Sequence, residues 1–198
     1  MTDSLMLYKE ALSRFHDVLD MAGKTDLREP MAMALATADA EGRPSVRTML
    51  LKSADERGFV FFTNSHSRKG RELVENPHVS LCFFWQPLMR QVRVEGTVVP
   101  IAAEESDQYW ETRPRDSQLG AWASEQSDPL ESRPLLERLV SECHERFLDK
   151  PVPRRPHWFG YRVVPERIEF WKSGWHRLHE RVLYEKTSEG WVKYLLYP

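Results

Sequence analysis

The sequence predicts an α+β fold, an antiparallel sheet or barrel with flanking helices. Two observations carry this reading. Strand-like runs come in adjacent pairs joined by short turns, as antiparallel hairpins do. Helical runs are inserted between those pairs instead of alternating one for one with strands, as a doubly wound fold requires. No internal repeat or low-complexity tract interrupts the 198 residues, a length that suits one domain with a real core.

Leu5, Tyr8, Leu12, Phe15 and Leu19 recur at helical spacing and predict an amphipathic helix ending near Gly23. Met31–Ala38, after Pro30, is a small apolar run with little polar alternation, which periodicity alone does not assign. Ser45–Lys52 and Phe59–Thr63 read as strands around the turn at 55–58. Ser67–Glu75 reads as a helix with Ser67 as N-cap and Asn76-Pro77 as its stop. Val79–Trp85 and Gln91–Val99 form the next strand pair. Helices follow at Ala102–Glu111, Asp116–Ser124 and Leu130–Leu148, then a proline-rich loop at Lys150–Pro156. Strand-like runs at Tyr161–Val164, Ile168–Trp171, Arg177–Tyr184 and Trp191–Leu196 complete the chain.

A net charge of −2 argues against a broad nucleic-acid footprint, which needs a strong basic excess. Cations are nevertheless clustered, at Arg68, Lys69 and Arg71, at Arg113 and Arg115, and at Arg177 and Arg181, a distribution suited to a small anion. Cys82 and Cys143 demand no disulfide, no apolar stretch reaches membrane length, and Thr2–Ser4 lacks a cationic leader. The expectation is a soluble, cytoplasmic protein.

No GxGxxG or GxxxxGK[ST] loop is present, so any phosphate must be held by side chains and a helix N-terminus. Ser67-Arg68-Lys69 supplies both, since a first helical turn offers free N–H groups and a positive dipole end. On the strand 45–52, Arg47, Met49 and Leu51 share one face and Thr48, Leu50 and Lys52 the other. Each face thus carries a cation that needs a partner or a path to water. Tyr109, Arg113 and Ser117 recur every four residues; Pro114 interrupts the helix they would share, so they form a polar stripe or line a loop mouth. Hydroxyl plus guanidinium suits a phosphate monoester, and a solvated helix end is the equal alternative. If 177–181 is extended, Arg177, His179 and Arg181 point to one face near Trp171, which suits a flat, anionic, aromatic ligand. His176-x-x-His179 lacks a third ligand, and no metal is expected. No GxSxG elbow appears.

Together these segments resemble the pyridoxine/pyridoxamine 5′-phosphate oxidase family from about Glu29 to Trp191, through RTMLLK (47–52), FFTNSHSRKG (61–70), RQVRVEG (90–96), YWETRPRDSQLGAWASEQS (109–127) and IEFWKSGWHRLHER (168–181). The resemblance implies a split-barrel FMN-binding fold over 1–198, with 1–28 as the N-terminal helix and 150–198 as strands completing the active site. It implies a homodimer with FMN at the interface. It implies oxidation of pyridoxamine or pyridoxine 5′-phosphate by O2 to pyridoxal 5′-phosphate, with H2O2 formed. By motif match, FMN contacts are Arg47, Thr48, Met49, Leu50, Leu51, Lys52, Phe62, Thr63, Arg68, Lys69, Gln91, Gln126, Ser127, Trp171 and Arg181. Substrate contacts are Lys52, Tyr109, Arg113 and Ser117 around the phosphate, with Arg177 and His179, the expected catalytic pair, over the ring. The chain departs from the family pattern in starting almost at its first long helix, in ending Leu195-Leu196-Tyr197-Pro198 where Arg-Leu-x-Pro is common, and in carrying Lys172 where Gln or His is usual. These departures bear on closure over substrate and on turnover. An oxidase of another ring, of the phenazine-forming type, and a weakly catalytic binder of pyridoxal phosphate or FMN are the alternatives.

Overall fold

The structure, a computed structural model, describes residues 2–198. Helix α1 (Thr2–Gly23) leads into strands β1 (Ala32–Ala38), β2 (Pro44–Leu50), β3 (Ser53–Asp55) and β4 (Gly58–Asn64), then α2 (Arg68–Glu75). Strands β5 (His78–Trp85) and β6 (Arg90–Pro100) follow. Helices α3 (Ala103–Glu111), α4 (Arg115–Ala123) and α5 (Arg133–Arg146) precede β7 (Trp158–Lys172), β8 (Glu180–Thr187) and β9 (Gly190–Leu195).

All strand pairs are antiparallel, in the order β2-β1-β5-β6-β7-β4-β3, with β8 and β9 continuing from β7. The sheet curls because β7 is long enough to serve two partners on one edge. Its first half, Trp158–Val163, pairs with β4; its second, Arg167–Lys172, pairs with β8. Pro165 lies between the halves, where it has no N–H to give. The register against β6 shifts there, at Glu95/Gly96. A side chain at Gly96 would meet the Val164 carbonyl oxygen at 2.1 Å, so only glycine lets the two strands approach at this joint. The sequence split this strand into Tyr161–Val164 and Ile168–Trp171; Pro165, which lies between them, sits at a bulge within one continuous strand.

Helix α1 packs on the sheet through Tyr8, Ala11, Leu12, Phe15, Val18 and Ala22, all buried. Phe15 meets Phe59 and Phe83 edge-on at 5.0 and 5.1 Å. The expected stripe is rotated: Leu5 is 53% exposed and Leu19 only half-buried. The small side chains of Ala11 and Ala22 face the sheet instead, and large apolar residues are not the only ones a close interface selects. A second apolar cluster, Trp110, Leu119, Phe147, Val152 and Trp158, lies beneath α3, α4 and α5.

Four local readings are completed or corrected. Met31–Ala38 contains a strand, β1, whose burial alternates residue by residue although its polarity does not. Strand β2 ends at Leu50, leaving Lys52 beyond it. Arg177 is not extended: Trp175–Arg177 forms a 3-10 turn with φ of +53° at His176 and +66° at Arg177, and β8 starts at Glu180. Arg177, His179 and Arg181 therefore do not form one strand face. Helix α5 starts at Arg133, three residues after the expected Leu130, because Ser132 caps it by accepting from the Leu135 N–H.

Candidate active site

A cleft of about 650 Å³ opens between β2, β4 and the α3–α4 corner. Thr48, Met49, Leu50, Lys52, Phe62, Thr63, Tyr109, Arg113, Ser117 and Gln126 line it, bringing together ten of the residues singled out from the sequence. Helices α3 and α4 are separate, with Pro114 as the α4 N-cap, and this corner aims Tyr109, Arg113 and Ser117 into one space. Gln118 fixes the corner by donating to the Trp110 carbonyl at 2.8 Å, and Arg155 secures the far end of α4 by donating to the Ala121 and Ser124 carbonyls.

The wall is aromatic. Phe62 stacks on Tyr109 at 4.1 Å and on Trp158 at 4.9 Å. The Arg113 guanidinium rests over the Trp158 ring at 4.7 Å and over Trp110 at 5.0 Å. Its Nη1 is buried with no hydrogen-bond partner, and burial lowers its pKa. A buried guanidinium donor without an acceptor is costly, so this geometry suits an anion arriving from the cleft.

A second cation is held in a similar state. Lys69 is 6% exposed, in the first turn of α2, whose Ser67 N-cap accepts from the Gly70 N–H. Its Nζ donates to Thr63 Oγ1 at 3.1 Å, Gln126 Oε1 at 3.1 Å and Ser67 Oγ at 3.4 Å, all neutral oxygens. Burial, reinforced by the nearby Arg47 charge, pushes its pKa down to about 8. Arg47 and Arg68 are both paired with the Glu72 carboxylate. Two under-compensated cations, one on the Lys69 side and one at Arg113, fit a cofactor and a substrate that each carry a phosphate.

The other expected site residues lie apart from this cleft. Leu51 is buried in the core. Ser127 is exposed in the loop after α4 with φ of +79°. Gln91 and Trp171 line a separate recess of about 100 Å³ with Arg14, Arg90 and Lys172. Arg181 donates to the buried Glu169 at 2.7 and 3.1 Å and to the Tyr197 carbonyl. Burial acts to raise the Glu169 pKa, but bonds from Arg181 and Arg93 outweigh it and the net shift is downward. Arg177 is exposed, and His179 Nδ1 accepts from the Gly174 N–H with its ring 4.7 Å from Trp171. Sequence reasoning missed Asn64, Ser124, Arg155 and Trp158 on the cleft wall.

Among the described residues, no cluster of three or more His, Cys, Asp or Glu could hold a metal ion, and no helix is long and apolar enough to cross a membrane.

Comparison with known proteins agrees with this architecture. Residues 19–147 match the family model described as pyridoxamine 5′-phosphate oxidase, and 158–198 match the pyridoxine 5′-phosphate oxidase C-terminal dimerisation region. The chain is 54% identical to the pyridoxine/pyridoxamine 5′-phosphate oxidase of Alkalilimnicola ehrlichii, over 98% of this chain and 100% of the relative. It is 55% identical to the Rubrobacter xylanophilus protein of the same name, over 96% and 87%. Among solved structures, PhzG from Burkholderia lata, in complex with tetrahydrophenazine-1-carboxylic acid, superimposes with a TM-score of 0.87 at 38% identity, covering 94% of this chain and 90% of that one. An FMN-binding protein related to pyridoxamine 5′-phosphate oxidase, from Nostoc punctiforme, shares the fold with a TM-score of 0.68 at 17% identity, over 85% and 88%. With its curled split-barrel sheet, its doubly cationic cleft and a C-terminal dimerisation region, the chain belongs to the pyridoxamine 5′-phosphate oxidase family.

Proposed function

We propose that the cleft at the α3–α4 corner is where this FMN-dependent oxidase converts pyridoxamine and pyridoxine 5′-phosphate to pyridoxal 5′-phosphate, with O2 as acceptor and H2O2 as product. The observation that carries the reading is the pair of buried, under-compensated cations, Lys69 and Arg113, beside one aromatic-walled cleft. The FMN phosphate would sit against Arg47, Arg68 and Lys69 at the α2 N-terminus, with Gln126 and Ser127 nearby. The substrate phosphate would sit among Lys52, Tyr109, Arg113 and Ser117. FMN, when bound, supplies the two-electron oxidation of the substrate's C4′ carbon and the return of those electrons to O2.

The chain's own residues bind, orient and exclude water. Lys52, Tyr109, Arg113 and Ser117 grip the phosphate, remote from the reacting bond, so binding energy is available to orient the ring. Phe62, Tyr109 and Trp158 give that ring a flat, dry wall. The protein is a homodimer, and the expected residues that miss the cleft, Gln91, Trp171, Arg177, His179 and Arg181, reach it from the other copy on this proposal. Arg177 and His179 then close over the ring and hold C4′ in place. We place the activity in a reducing cytoplasm, since Cys82 and Cys143 are free thiols.

PhzG acts as the comparison for an alternative ring substrate. The complete phosphate-gripping set on the cleft wall favours a phosphorylated pyridine, because a ring without phosphate has no use for Lys52, Tyr109, Arg113 and Ser117 together. Oxygen consumption with pyridoxamine 5′-phosphate tests the proposal. The expected result is uptake of O2 with formation of pyridoxal 5′-phosphate by a yellow protein; flavin-loaded protein that consumes no O2 with either phosphorylated substrate overturns it.

A further inference from the structure

We infer that Glu72 is a positioning residue for the cofactor phosphate, holding Arg47 and Arg68 in place before the phosphate arrives. The inference rests on the assignment of Arg47, Arg68 and Lys69 to the FMN phosphate. Glu72 lies on the inner face of α2 and is 4% exposed. Its Oε1 accepts from Arg68 Nε at 2.8 Å. Its Oε2 accepts from Thr37 Oγ1 at 2.5 Å, Ser45 Oγ at 2.7 Å and Arg47 Nη2 at 3.3 Å. Arg47 is tied further, through Nη1 to Thr37 Oγ1 at 2.5 Å and to the Leu35 carbonyl at 3.2 Å, and through Nη2 to Ser45 Oγ. One carboxylate thus joins β1, β2 and α2 at the end of the sheet.

Two physical consequences follow. Burial alone would raise the Glu72 pKa, but hydrogen bonds from Thr37, Ser45 and Arg68 and the charge of Arg47 bring it down to about 2, so it is ionised at any working pH. Three cations and one fixed anion leave the cluster two positive charges, the complement of a phosphate dianion. Glu72 also restricts two long, rotamer-rich side chains in advance, which removes part of the ordering cost from the binding step. It touches Arg47 and Arg68 but makes no hydrogen bond to Lys69, which is left to neutral acceptors.

Neutralising Glu72 has two opposed effects. It adds net positive charge, which would tighten phosphate binding, and it frees the arginines, which would weaken it. We assign the larger effect to the loss of order, because the guanidiniums hold directional bonds that a bare charge does not replace.

The test compares FMN with riboflavin, which has the same ring and no phosphate. Flavin is removed from the purified dimer, and each ligand is titrated back by quenching of its fluorescence. In Glu72→Gln, which preserves size, the FMN Kd is expected to rise at least ~10-fold while the riboflavin Kd stays within about twofold, a phosphate-selective loss of roughly 1.4 kcal/mol. A purely structural role would weaken both ligands alike. An unchanged or increased preference for FMN overturns the inference. If Glu72→Gln does not fold, Ser45→Ala decides: it removes one link between Arg47 and Glu72 and should lower the same preference by a smaller factor, and no change there counts against the proposal. Arg47→Ala and Lys69→Ala distinguish the two levels of failure. If they too leave the preference intact, the phosphate assignment fails; if they abolish it and Glu72→Gln does not, only the role of Glu72 fails.

Discussion

Lys69 shows how burial sets chemistry at a single residue. Its pKa of about 8 places its loss of charge just above neutral pH. A folded-state value below the usual 10.5 means that the unfolded chain holds the extra proton between these two limits, so the contribution of Lys69 to stability rises with pH across that window. Phosphate binding has the opposite trend, since only the ammonium attracts a dianion that is already formed at pH 7. FMN affinity of the flavin-free protein should therefore fall roughly tenfold between pH 7 and 9, from the Henderson–Hasselbalch fraction at that pKa. Fluorescence titration at the two values measures it, and a slope that survives in Lys69→Met would refute the cause. The sequence singles out Tyr109, Arg113 and Ser117 by their four-residue spacing and Lys69 by its place in the first turn after an N-cap serine, and the structure puts all four in or beside the cleft. It does not single out Trp158 or Glu72. Their roles arise from what touches them, a guanidinium on one ring face and four donors on one carboxylate, and no periodicity encodes that.

Among the elements, α2 carries the clearest conflict between local preference and packing. Alanine is favoured over glycine in a helix by about 1 kcal/mol. A Cβ at Gly70 would nevertheless meet the Ser65 carbonyl oxygen at 2.2 Å, and that oxygen belongs to the backbone and cannot swing aside. Gly70→Ala is expected to lower Tm by several degrees and reduce bound flavin, because the helix must lift and carry Lys69 with it. A raised Tm would show that the loop yields instead. The helices and most hairpins were legible because caps and turns are local chemistry, as at Ser67 and at the Asp55–Gly58 turn. Strand β1 was not, since Ala32–Ala38 buries alternate residues without alternating in polarity. The turn at Trp175–Arg177 was not either: its alternating letters imitate a strand, while positive φ at two non-glycine residues is imposed by the surrounding fold.

For the whole molecule, the expected site residues divide into those lining one chain's cleft and those lying elsewhere on it. A homodimer resolves the division if each copy completes the other's site. Arg177→Leu should keep its flavin and lose at least ~100-fold in turnover, since orientation of the reacting carbon supplies much of the rate. Arg113→Leu should also be inactive at ordinary substrate concentrations. When the two inactive proteins are unfolded and refolded together in equal amounts, half the dimers are mixed, and each mixed dimer holds one intact site. Activity should recover to about a quarter of the wild-type level, by the statistics of twofold assembly. No recovery would place Arg177 in its own chain's cleft.

Strand β7 has one more consequence. Trp158 lies at its first position and Trp171 near its last, thirteen residues apart, or ~43 Å of extended backbone at most. If each copy completes the other's site, the same strand floors one chamber with its beginning and reaches toward the neighbouring chamber with its end. It would then work as a ruler, with the spacing of the paired chambers written into its length. Two inserted residues would keep every side chain on its proper face while lengthening that ruler by ~7 Å, so the barrel could survive a change that its chemistry could not.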